Sequence, residues 1–388
     1  MECKRCGNTD INYFYQGSKG FYCRKCVSFK RILLEDDISA LDFDTDPNSS
    51  EYSFEYSLTP LQEKVSDSCL ECVLQGKDVL LKAVCGAGKT EIVVKTISYY
   101  LKRKLKVCYA ISRKEVVIDL YARFNKIFSN ANVVALYGGH HDKTKGDLII
   151  CTTHQLYRYY KTFDLLILDE VDAYPLANNT PLINIALNST KGPIIFSTAT
   201  VNNFLNDILK KRNYEKLELY VRPTYKPLII PKLFISFKVI ICLYLFYLLK
   251  NMKQQCIIFV SSKRLCTYFY YAFKHLINCT YVYSDLEKRD ENIKAFRNKK
   301  YQFIFSTTVL ERGITIKDVN VIVVSFNKNV FDEGSLVQML GRVGRNFNNP
   351  YGEAYILSSH KDIEIEKAIN NLKENNEKYE MSLLWWNN

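Results

Sequence analysis

The sequence predicts two tandem, doubly wound α/β lobes with mostly parallel sheets, preceded by a small four-cysteine module. Three observations carry this. Apolar runs of strand length alternate with helix-period segments through most of the chain, the pattern of parallel sheets with crossover helices. One such run, Val79 to Val84, leads into Cys85-Gly86-Ala87-Gly88-Lys89-Thr90, and another, Phe163 to Leu168, ends in Asp169-Glu170-Val171-Asp172. Two C-x-x-C pairs, Cys3/Cys6 and Cys23/Cys26, precede them all.

The amino-terminal segment reads as a hairpin, Ile11 to Tyr15 and Phe21-Tyr22 around Gly17 and Gly20, between the two cysteine pairs. Four thiolates at this spacing suit tetrahedral Zn²⁺ in a closed, structural site. Two disulfides are the competing arrangement, disfavoured because the chain shows no secretory leader. The first 31 residues carry seven Lys/Arg against Glu2 and Asp10, whereas residues 32–57 hold eight acids and no base. This reads as a basic module (1–31) on an acidic, solvated linker (32–57), with Pro47-Asn48-Ser49-Ser50 as its flexible middle.

The loop at Gly86 to Thr90 opens a helical pattern, so backbone N–H groups at Gly86 and Gly88 can close around a polyphosphate at a helix start. Lys89 is expected to reach the outer phosphates of ATP, and Thr90 to join a Mg²⁺ shell. Ala83 stands where the strict loop has its first glycine. Asp169, at the carboxyl end of its strand, is expected to hold the Mg²⁺ through water, and Glu170 to polarise the attacking water. Far along the chain, Arg342 and Arg345 flank Gly344, and their permanently charged guanidinium groups suit a γ-phosphate. Charged side chains at such spacings also occur on ordinary solvated surfaces. It is their combination with the phosphate loop that points to nucleotide hydrolysis. A boundary near Tyr220 to Pro227, punctuated by Pro223 and Pro227, divides lobe 1 (58–222) from lobe 2 (223–388).

Composition bounds the rest. The chain has 388 residues and a net charge of +12, compatible with a polyanionic partner. Leu228 to Leu249 is the one apolar stretch of membrane length, but Pro231, Lys232 and Lys238 interrupt it. The uncharged remainder, Val239 to Leu249, falls short of the ~20 residues that span a bilayer, so a buried helix is expected there. Of the thirteen cysteines, nine lie outside the two pairs; Cys69 and Cys72 read as core-facing and Cys85 as a small filler. Tyr157, Tyr159 and Tyr160, beside Arg158 and Lys161, could stack on single-stranded bases, although core filling is the preferred reading of any single tyrosine.

The ordered set of motifs resembles the superfamily 2 helicases and translocases from Leu58 to Leu357. Leu58-Thr59-Pro60-Leu61-Gln62 resembles that group's adenine contact, with Gln62 reading the base. Ala83 to Thr90 is similar to its motif I, in which alanine at the first position is normal. Ser112-Arg113-Lys114, Thr152 to Leu156, Asp169 to Asp172 and Ser197 to Thr200 are similar to motifs Ia, Ib, II and III. Ile257 to Ser262, Thr307 to Thr315 with Glu311-Arg312-Gly313, and Gln338 to Arg345 are similar to motifs IV, V and VI. The resemblance implies RecA-like lobes, nucleotide contacts that include Gly313, and strand-backbone contacts at Arg113, Thr153 and Thr307.

With the four cysteines ahead of lobe 1 and Asp-Glu-Val-Asp-Ala-Tyr-Pro at motif II, the chain resembles the ComFA family of late competence proteins. That resemblance implies an ATP-driven motor on single-stranded DNA in transformation. It implies a cytoplasmic protein at the inner face of the membrane, with other DNA-uptake proteins as partners. The primosomal helicase PriA is similar in style, but its zinc region interrupts the second lobe. A PriA-like DNA helicase, a DEAD-box RNA helicase and an ATP-gated nucleic-acid scaffold are the alternatives.

Overall fold

Buried strands that read as unbroken apolar runs need cover on both faces, and the first sheet follows that rule. In the computed structural model, which describes residues 1–36, 38–46, 50–140, 142–311, 316 and 318–387, Val107–Ile111, Leu148–Thr152, Leu165–Asp169 and Ile194–Thr198 are buried at every position. The chain divides into two compact units: Met1–Ala83 with Gly88–Leu219, and Val84–Ala87 with Tyr220–Asn388.

In the first unit seven strands run in the order Val133–Leu136, Leu148–Thr152, Val107–Ile111, Leu165–Asp169, Ile194–Thr198, Asp78–Ala83, Tyr214–Leu219. Every neighbouring pair is parallel. The last strand closes the sheet with exposed Glu215 and Lys216, charges that keep an open edge from pairing with other chains. The helix Pro60–Leu74 starts at a capping box in which the Thr59 and Gln62 side chains each accept from the other's backbone N–H, with Pro60 in the first turn. Cys69 on this helix is fully buried and Cys72 partly so.

The second unit holds a six-stranded parallel sheet ordered Lys232–Ile235, Ala354–Ser358, Val319–Ser325, Gln255–Val260, Phe303–Ser306, Cys279–Val282. Two doubly wound parallel lobes are thus what the alternation of apolar runs specifies. The helix Lys238–Asn251 departs from the buried element expected there. Ile241, Leu245, Leu248 and Leu249 face the core, while Val239, Leu243 and Tyr247 are exposed. Apolar residues surround this helix, so periodicity could not reveal that only one side is covered. Among the described residues no helix is long and apolar enough to cross a membrane.

The amino terminus forms the expected hairpin, Phe14–Gly17 against Gly20–Cys23. The acidic segment after it is not a solvated spacer over its described residues. Leu41 and Phe43 pack on the same core as the sheet. The Leu41 N–H donates to Thr162 Oγ1 (3.0 Å), Lys106 pairs with Asp42 (2.8 Å), and the Asp46 N–H donates to the Asp147 carboxylate (2.8 Å). Further along the same segment, Ser98 Oγ donates to the Ser50 carbonyl (2.7 Å) and the Ser53 N–H to that of Ile127 (2.9 Å). Acidic composition suggested solvation, yet alternate apolar side chains and backbone groups fasten the segment down. Pro47, Asn48 and Ser49 lie outside the described residues.

Candidate active site and four-cysteine centre

In the first unit Gly88 and Lys89 stand beyond the end of strand Asp78–Ala83, and Asp169 ends strand Leu165–Asp169; strand Ile194–Thr198 lies between the two strands. Both therefore sit at the carboxyl ends of strands, where open α/β sheets take ligands. Gly88 has φ of +84°, and a Cβ there would lie 2.3 Å from Gln62 Nε2, so only glycine fits without displacing Gln62. Lys89 begins the next helix and its Nζ donates to the Ala83 carbonyl at 3.2 Å, which folds the side chain back over the loop. Gln62 is buried and its Oε1 serves the capping box, so the side chain expected to read a base also fixes its own helix start.

Asp169 is buried and held from two neighbouring strands. Tyr109 Oη donates to one oxygen at 2.7 Å, and Ser197 Oγ (2.7 Å) and the Glu170 N–H (3.0 Å) donate to the other. A carboxylate has about four lone-pair sites, so these donors leave room for a metal-bound water. The Tyr109 phenol also has Thr90 beside it. Burial first, and the Asp169 charge second, push its pKa well above the usual range, so it remains a donor. Thr90 and Asp169 are thereby neighbours of one phenol, a pair of oxygen donors that fits Mg²⁺ held through oxygen and water. Glu170 adopts φ of +53°, a left-handed conformation rare for a glutamate and typical of functional turns. Asp172 accepts from both Thr198 Oγ1 and Thr200 Oγ1 at 2.7 Å, which ties the acidic turn to the end of the adjacent strand.

Arg113 and Thr153 lie just beyond the ends of the paired strands Val107–Ile111 and Leu148–Thr152. Thr153 is fully buried, and its hydroxyl has no hydrogen-bond partner among the described residues. In the second unit Thr307 follows strand Phe303–Ser306. Arg342 is buried with its Nε donating to the Glu311 carbonyl (3.2 Å), and Arg345 Nε donates to that of Gly341 (2.8 Å). Gly344 between them has φ of +70° and would place a Cβ 2.6 Å from the Pro350 carbonyl. Gly313, with Arg312, lies outside the described residues.

Two residues escaped the sequence reading. Tyr109 sits in an apolar strand, and its hydroxyl was the only signal. Arg222, marked only as the residue before Pro223, is buried and donates to the carbonyls of Gly341 (2.9 Å) and Val343 (2.8 Å). Burial and then the Arg345 charge lower its pKa to about 10, so it remains charged at neutral pH.

The four cysteines are buried, with their sulfurs all within 4.8 Å of one another. Cys3–Cys26 and Cys6–Cys23 Sγ distances are both 3.7 Å. A zinc tetrahedron with 2.3 Å Zn–S bonds has edges of about 3.8 Å, so the donor set fits Zn²⁺ closely and leaves no open ligand position. Hydrogen bonds from Cys26 and then Cys6 lower the Cys3 thiol, while the bond to Cys3 first and that to Cys6 second raise the Cys26 thiol, so without a metal the cluster shares its protons with the negative charge settling on Cys3. The module is clamped to helix Thr180–Asn188: Asn184 Nδ2 donates to the Cys6 carbonyl (2.9 Å) and Asn188 Nδ2 to that of Arg5 (3.1 Å).

Residues 59–208 match the DEAD/DEAH box helicase family model, and residues 237–347 the helicase conserved C-terminal domain. The chain is 33% identical to Competence protein ComFA of Streptococcus pneumoniae, over 96% of this chain and 89% of that protein. It is 30% identical to Competence protein ComFA of Bacillus subtilis, over 97% and 85%. Its fold is similar to S. cerevisiae Dbp5 bound to RNA and ADP BeF3, with a TM-score of 0.58, 18% identity and coverage of 82% and 92%. With both helicase domains in place and ComFA similarity along nearly its whole length, the chain belongs to the Competence protein ComFA family.

Proposed function

We propose that this protein is a nucleic-acid-stimulated ATPase that moves along single-stranded DNA and drives DNA uptake in natural competence. The observation that carries the reading is the convergence of Lys89, Thr90, Asp169 and Glu170 at one end of one sheet, where Tyr109 donates to Asp169. The competence naming of its relatives supplies the process. Gly86, Gly88 and Lys89 would cradle the phosphates, Thr90 and Asp169 would hold Mg²⁺, and Glu170 would take up the proton of the attacking water. Arg342 and Arg345 would add positive charge to the γ-phosphate from the second unit, and Gly313 a further nucleotide contact. Gln62 would read the adenine. Arg113, Thr153 and Thr307 would hold the strand by its backbone, without reading sequence. Cycles of ATP binding and hydrolysis would then alternate the grip of the two units on the strand.

ATPase rates with single-stranded DNA, duplex DNA and RNA, measured side by side, test this. Single-stranded DNA is expected to stimulate most, with an affinity that falls steeply as salt rises. Strongest stimulation by RNA assigns an RNA helicase, efficient unwinding of blunt duplex assigns a PriA-like helicase, and absent turnover assigns a nucleotide-gated scaffold.

A further inference from the structure

Beside the four-cysteine centre, in the first unit, the module and the sheet together enclose an open groove of ≈ 480 Å³. That volume lies within the range of small-ligand sites, about 300–1,000 Å³. Lys25, Phe29 and Lys30 form its module wall, and His154, Gln155 and Tyr157 its opposite wall. Among the described lining residues none is acidic, while both lysines are exposed. The walls are fixed to each other. Phe29 stacks on His154 (centroids 5.8 Å, planes at 27°), and Arg5 donates to the Phe29 carbonyl (3.3 Å) while lying over the Tyr157 ring (5.8 Å). The asparagine clamps at Cys6 and Arg5 hold the module in place.

Three features make this more than a basic surface. His154 is exposed and backed by Phe29, so it presents a supported aromatic face rather than a swinging ring. Lys30 adopts φ of +87°, a strained conformation for a lysine, at the point where the chain turns beside the groove. His154 also directly follows Thr153, whose buried hydroxyl has no partner among the described residues. An aromatic face beside paired cations is how proteins bind single strands without reading sequence.

We infer that this groove seats one nucleotide of single-stranded DNA, its base on His154 and its flanking phosphates at Lys25 and Lys30. It extends the strand site expected at Thr153 onto the four-cysteine module. The inference rests on the proposed reading of single-stranded DNA as the substrate. It assigns the module a direct share of strand binding, in addition to its structural role.

The test is binding of fluorescent oligo-dT to the full-length zinc-loaded protein, without nucleotide, across a range of salt. The variants are Lys25→Glu/Lys30→Glu and His154→Ala, each checked for zinc content and unfolding midpoint. The charge reversal is expected to weaken binding roughly tenfold and to reduce the salt slope by about 1.4, two single-strand phosphate contacts. His154→Ala is expected to weaken it about fivefold or more with the slope unchanged, the loss of one stacked base. Wild-type affinity and slope in both variants, with wild-type protein still binding oligo-dT, overturn the groove assignment alone. Wild-type protein that does not bind oligo-dT overturns the single-strand reading itself. Loss of binding to an oligo-glutamate peptide, with oligo-dT unaffected, assigns the groove to an acidic polypeptide and also overturns the proposal.

Discussion

Asp169 and the four-cysteine cluster are both buried in the first unit, but they are held there by different means. The Asp169 carboxylate is fixed by Tyr109 and Ser197 on the two neighbouring strands, in a sheet whose apolar residues would hold it together anyway. The cysteines are instead the main buried groups of their own module, which has only four-residue strands and no helix longer than one turn. Chemistry is added to a stable frame at the first place; at the second the candidate metal ligands are the frame. Function and stability should therefore separate under mutation at the sheet and fall together at the module.

The sharpest separation is expected for Lys89→Ala. Removing the cation over the loop should lower ATP turnover by about 10³-fold, since charge stabilisation at the phosphates is lost. The unfolding midpoint should fall only slightly, because the Lys89 side chain gives up a single hydrogen bond, to the Ala83 carbonyl at the end of its strand, worth about 1 kcal/mol. A large fall in midpoint would break the comparison. Glu170→Gln comes next, with turnover down about 10²-fold as a general base is lost while ATP still binds. Equilibrium ATP binding beside steady-state turnover checks it, and wild-type turnover would remove Glu170 from the reaction.

Cys23→Ser tests the other side. The sequence alone suggests that losing the metal unfolds the module and spares the rest. The shared core and the clamps from Asn184 and Asn188 change that expectation. Zinc should be lost and the first unit's midpoint should fall by about 5–10 °C, read by metal analysis and calorimetry together. Loss of zinc without any shift would mean that the docking contributes nothing. The smallest effect is expected for Asn184→Ala, which removes the bond to the Cys6 carbonyl and should cost about 1 kcal/mol, with zinc retained.

The same contrast explains what could be read ahead of the structure. Lys89, Thr90, Asp169 and Glu170 stand in short contiguous runs, each bounded by an apolar strand, so their chemistry and their place in the fold share one local pattern. The four cysteines were legible for the same reason. What holds the module down was not, because Asn184 meets Cys6 across 178 positions of sequence and an asparagine in a helix advertises no partner. Tyr109 and Arg222 were hidden differently: Tyr109 lies in an apolar strand where a polar tip counts for little in any periodicity, and Arg222 stands in a proline-punctuated boundary segment where a single arginine carries no pattern. The acidic segment misled because composition reports average solvation, whereas Leu41 and Phe43 anchor it individually.

The pinning of that segment also sets its mechanical compliance. A flexible linker of its length would have an end-to-end spread of about 28 Å, enough to absorb many nucleotide spacings of about 3.4 Å each. Fastened at Leu41, Asp42, Asp46, Ser50 and Ser53, the described segment has little such slack. A load applied at the four-cysteine module would then be borne by the first sheet as if by a strut, with little of it lost in stretch.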